Sequence, residues 1–167
     1  MNLYLFRHGI AVERGLPEYE DDSQRPLTPK GAARIHKIAQ SMKRMGVKFD
    51  LVLSSPYTRA QQTAQIVASF YDIEKQLKLS ENLLPAATPA ALIGEMHEFY
   101  ADALSVLVVG HEPFLGALAG TLLAGDETLA LTFKKGGLGK FSIDELVPGR
   151  CATLDWLITP KQMLNLE

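Results

Sequence analysis

Short apolar runs alternate along this chain with capped helical segments, and that alternation limits the available folds more than any other feature. Residues 3–6, 51–53 and 105–109 are apolar runs of strand length, and Leu77 and Leu79 alternate as in a fourth strand. Helical signals fill the intervals. Thr28 as N-cap and Pro29 at the first position introduce Ile35, Ile38, Ala39, Met42 and Met45 on one face, with Gly46 at the end. Ser55-Pro56 is expected to open a second helix, with Ala60, Thr63, Ala64, Val67 and Phe70 on one side. Thr88-Pro89 starts a third with Leu92, Ile93, Met96 and Tyr100, and Glu112-Pro113 leads into an apolar helix reaching Leu123. The remainder reads as strands near 129–133, 138–143 and 152–158, with a turn at Gly136-Gly137. This order predicts an α/β fold: a central, largely parallel sheet flanked by helices, its last strands joined as hairpins.

A chain of 167 residues with 47% hydrophobic content fits one domain, 1–167. Cys151 is its only cysteine, so no intrachain disulfide or cysteine-based metal cluster can form, and it reads as a buried structural thiol. Seventeen Lys plus Arg stand against nineteen Asp plus Glu, and the basic residues read as scattered rather than striped, which argues against nucleic acid as a partner. The apolar stretches are too short to cross a bilayer, and the N-terminus opens into a strand-like run without a signal-peptide layout. A soluble, cytoplasmic protein without a membrane partner is expected; its oligomeric state is not legible.

Chemistry gathers at strand ends. Arg7-His8 follows the first strand, Arg59 lies just past the second, and His111 follows the run 105–109. Ligands of open α/β sheets sit beyond the carboxyl ends of parallel strands, so two guanidiniums and two imidazoles would converge there. Such a group suits a phosphoryl dianion, because arginine offers a planar fork of donors and keeps its charge. No metal or cofactor is called for. The helix after Ser55-Pro56 would also aim its positive end at the anion. Each residue alone reads as structural; the conjunction does not. His36 and His97 lie within helical patterns and read as structural or solvent-facing, as do Phe114 and Leu115 as core. The acidic, Gly- and Pro-containing stretch 11–24 reads as a long mobile connection, and the loop 10–24 is expected to shape substrate access.

These residues resemble the histidine phosphatase superfamily, the phosphoglycerate-mutase-like or RHG group. Arg7-His8-Gly9 is similar to its nucleophile signature, residues 54–64 (SSPYTRAQQTA) to its second arginine block, and Gly110-His111 to its second histidine. Asp22-Ser23-Gln24-Arg25-Pro26-Leu27-Thr28 and Gly31 resemble the short, SixA-type phosphohistidine phosphatase branch. The resemblance implies a metal-independent phosphatase with His8 as phosphoryl acceptor. Arg7, Arg59 and a protonated His111 would form the phosphate pocket, Ser55 would contribute to substrate binding, and Arg25 would guard the pocket entrance. Larger members carry a glutamate general acid in a glycine-containing context missing here, which leaves Asp22 and Glu81 as candidates. A weak acid handicaps an alkyl ester more than a phosphoramidate, which favours a histidine-phosphorylated protein, such as a phosphorelay component, as the partner. A phosphatase of small phosphorylated metabolites and a non-catalytic phosphate-binding module are the alternatives.

Overall fold

The computed structural model describes residues 1–129 and 131–165. Six strands form one sheet: β1 (Asn2–Arg7), β2 (Leu51–Ser54), β3 (Leu77–Leu79), β4 (Ser105–Gly110), β5 (Leu138–Ile143) and β6 (Ala152–Ile158). Their order is β3-β2-β4-β1-β5-β6; the first four run parallel, while β5 is antiparallel to both β1 and β6. Alternation sorts the strand residues onto two faces. Tyr4, Phe6, Leu107 and Val109 pack with α1 (Pro29–Arg44), α2 (Thr58–Phe70) and α5 (Pro160–Leu164). Leu3, Leu5, Val106 and Val108 pack with α3 (Pro89–Phe99) and α4 (Phe114–Ala124). The expected α/β sandwich is thus the observed one. Among the described residues, no helix is long and apolar enough to cross a membrane.

Thr28 and Thr88 cap α1 and α3 as expected, each side chain accepting from the amide three residues on. Four details differ. Ser55-Pro56 does not open a helix: α2 starts at Thr58, because the Ser55 hydroxyl accepts the Tyr57 amide and holds a turn there. The strand expected at 129–133 does not form. Ala130 lies outside the described residues, and the buried Phe133 has its N–H taken by Glu112 and its carbonyl by Arg7, so side chains satisfy what a neighbouring strand would. Helix α5 lies beyond the last strand that the pattern predicts; Thr159 and Gln162 form its capping box and Pro160 opens it. Cys151 is half-buried rather than buried. Phe114 and Leu115 are core, and His36 and His97 are exposed.

Candidate active site

Register brings the strand ends level. Arg7 pairs with Gly110 across β1–β4, and Ser54 with Val109 across β2–β4. The ladder runs one residue further: the His8 amide donates to Gly110 O at 3.1 Å and the Ser55 amide to Val109 O at 3.0 Å. From the other side Gly136, at φ 79°, donates to the carbonyls of Arg7 and His8, while Arg7 N–H bonds Gly137 O. Gly9 completes the clamp. A Cβ there would stand 2.8 Å from the Ile35 side chain, and its amide donates to Thr63 of α2. His8 is therefore fixed by backbone bonds to Gly110 on one side and Gly136 on the other, with the next residue tied to the Thr63 side chain.

Arg7, His8, Arg25, Arg59 and His111 line one cleft of about 440 Å³, shared with Arg14, Glu112 and Lys135. The two imidazole centroids are 5.1 Å apart. His8 Nδ1 lies 2.7 Å from Gly9 O, an acceptor only, so Nδ1 carries the proton and Nε2 keeps its lone pair. The Nε–H of Arg59 donates to that Nε2 at 3.3 Å. Burial, against the Gly9 bond and helped by His111, Arg59 and Arg7, pushes the His8 pKa down to about 3. The ring is neutral at physiological pH. His111 also falls to about 3, through burial and then the nearby guanidiniums, so a neutral imidazole stands where an imidazolium was expected. Ser55 Oγ accepts the Tyr57 amide and lies 2.8 Å from His111 Nε2, so it can donate there. The His111 proton then sits on Nδ1, which is buried with no partner. Ser55 stands behind His111 and does not line the cleft, so it orients the imidazole rather than touching a ligand.

The acid candidates fare differently. Asp22 bonds Arg59 Nη2 at 2.9 Å, Arg25 Nε at 2.8 Å and Arg14 Nε at 3.0 Å. Burial raises its carboxyl, but Arg59 and Arg25 outweigh this and hold it below the usual range. It is an anion with no proton to give; it sits in the Arg59 fork where a phosphoryl oxygen would fit. Glu81 is exposed in the turn after β3 and does not line the cleft, so the structure does not bring it to the other candidates. Arg25 is buried at the rim, tied to Asp22 and to Val12 O. Glu112 escaped sequence reading although it adjoins His111. Its Oε1 accepts the Phe133 amide and its Oε2 the Gly116 amide, while Phe133 O accepts from Arg7 Nη1 at 2.7 Å. Glu112 thereby aims Arg7.

A family model for the histidine phosphatase superfamily (branch 1) matches residues 3–84. The phosphohistidine phosphatase SixA of Escherichia coli is 31% identical over 166 residues, covering 96% of this chain and 94% of that protein. The chain belongs to the histidine phosphatase superfamily. Within it, SixA homologues in sequence and structure place it in the SixA-type branch, and it is accordingly a phosphatase. An uncharacterized Picosynechococcus protein is 38% identical over 140 residues, covering 83% of this chain and 82% of that protein. The solved protein histidine phosphatase SixA complexed with tungstate superposes with a TM-score of 0.82 at 27% identity, covering 96% of this chain and 98% of that one.

Proposed function

We propose that this histidine phosphatase removes phosphoryl groups from protein histidine through a phosphoenzyme on His8. One observation carries the reading. A buried, neutral imidazole presents an unprotonated Nε2 beside a buried guanidinium, while the carboxylate bound to that guanidinium is held ionised. The site thus offers a nucleophile and phosphate donors but, in Asp22, no acid. A phosphohistidine ring protonated on its other nitrogen leaves as neutral imidazole without help from an acid, whereas an alkyl ester must expel an alkoxide. His8 Nε2 attacks phosphorus in line, and the P–N electron pair passes to the leaving ring. Water then attacks phosphorus and the pair returns to His8. Arg7, Arg59 and the His111 Nδ1–H would hold the equatorial oxygens, with the dianion displacing Asp22 from Arg59.

The relative named phosphohistidine phosphatase SixA supports this substrate class. A cytoplasmic phosphorelay protein is the partner we infer, and no metal takes part. The test is phosphate release from a histidine-phosphorylated protein in EDTA, with wild type and His8→Ala, and trapping of an acid-labile phosphoenzyme. Turnover in EDTA, its loss in His8→Ala and a label on His8 are expected. Abolition by EDTA would end the metal-free mechanism, and preference for an alkyl monoester would overturn the substrate choice. A failure to label His8 with any phosphorylated substrate would favour a phosphate-binding module.

A further inference from the structure

A second cavity, of about 640 Å³, shares Arg7 and Lys135 with the phosphoryl cleft and adds Arg34 of α1, Lys134 and Lys161. Among the described residues no acidic side chain lines it. The sequence reading of scattered cations therefore fails here: four chain segments meet in space and concentrate positive charge. The contrast with the neighbouring cleft is sharp, for there Asp22 pairs with three arginines, whereas among the described residues no carboxylate pairs with Arg34, Lys134, Lys135 or Lys161. Among the described residues the buried Arg34 Nε has no hydrogen-bond partner, and an unpaired buried donor carries a desolvation cost. Helical spacing also puts the exposed Lys30 and Lys37 on the Arg34 side of α1, and no Asp or Glu occurs from 26 to 49.

We infer that this cavity is a docking subsite for carboxylates on the protein that carries the phosphohistidine. The inference rests on the proposed function for the identity of that protein. Lys134, Lys135 and Lys161 are exposed, the first two adjacent on one segment and the third on α5, which suits several spaced carboxylates on a protein face. One small dianion would call for convergent, buried donors like those around His8. Continuity through Arg7 and Lys135 lets a substrate engage the subsite while its phosphoryl group lies at His8. Opposed charges of this kind steer encounter and fix orientation, and their effect fades with salt.

The test compares wild type with Arg34→Gln/Lys134→Gln/Lys161→Gln, leaving Arg7 and Lys135 intact. Kd for a fluorescent polyglutamate peptide at low salt should rise about tenfold in the triple variant. KM for a histidine-phosphorylated protein with an acidic face should rise by a similar factor with kcat retained, while kcat/KM for phosphoramidate stays unchanged. Lys134→Gln/Lys161→Gln alters only exposed side chains, guards against misfolding, and should give an intermediate shift. Equal peptide binding by wild type and variants, an equal loss on phosphoramidate, or equally tight binding of duplex DNA by the wild type would each overturn the subsite. Peptide binding needs no turnover, so a wild type inert towards phosphohistidine would sink the proposed function and leave the subsite to be decided separately.

Discussion

The floor of the phosphoryl cleft and its rim are built on opposite terms. On the floor His8, Arg59 and His111 are 6%, 2% and 2% exposed, and His8 is clamped by backbone bonds. On the rim the side chains of Asp22 and Arg14 are 36% and 77% exposed, and ion pairs do the holding. The exposed Arg14–Asp22 pair contributes only about 0–1 kcal/mol, whereas Asp22 meets Arg25 and Arg59 at buried guanidiniums, so a dianion displaces it by taking over the Arg59 fork in its place. The site combines a fixed nucleophile with a replaceable carboxylate over its main phosphate donor.

Removing a floor donor should have the largest effect. Arg59→Ala is expected to lower kcat on a phosphohistidine protein by about 10²- to 10³-fold, and Arg59→Lys should recover little because it lacks the fork. Retention of most activity in Arg59→Ala would erase the distinction between floor and rim. Glu112→Ala acts one step back. It frees the Phe133 segment that aims Arg7, and kcat should fall by roughly 10- to 100-fold. Partial rescue by Glu112→Gln, which keeps one acceptor, separates positioning from a general loss of fold.

The buried imidazoles give the floor a pH signature. Unfolded histidines bind protons below about 6.5, but His8 and His111 resist until about 3, so stability rises with pH across that window and is lost on acidification. At pH 5 each burial costs on the order of 2 kcal/mol, though the two share one site and do not sum. His8→Asn should therefore lose less stability between pH 8 and pH 5 than wild type, read as the urea midpoint; an equal loss would mean that His8 titrates normally. The smallest effect belongs to the rim. Asp22→Asn weakens the competitor for Arg59, and inorganic phosphate should inhibit about two- to fivefold more tightly. Weaker inhibition would show that Asp22 orients the donors instead of masking them.

Fold and floor were legible because their signals are local. Apolar runs and Thr-Pro caps marked β1, β2, β4, α1 and α3, and parallel topology then forced Arg7, His8, Arg59 and His111 to one edge. The same Thr-Pro signal at 159–160 is hard to read because α5 spans only Pro160–Leu164, too short to show a period. Ser55-Pro56 misled because its hydroxyl serves a turn and an imidazole instead of a helix. The ionised state of Asp22 depends on arginines at 25 and 59, and the second cavity on cations from four segments. No window along the chain contains either.

Arg7 is aimed by a carbonyl 126 residues downstream, and the turn gripping His8 lies at 136–137. The Arg-His-Gly tripeptide is thus oriented only once the segment from Phe133 to Gly137 has docked against it. Closure over such separations is slow relative to local helix formation.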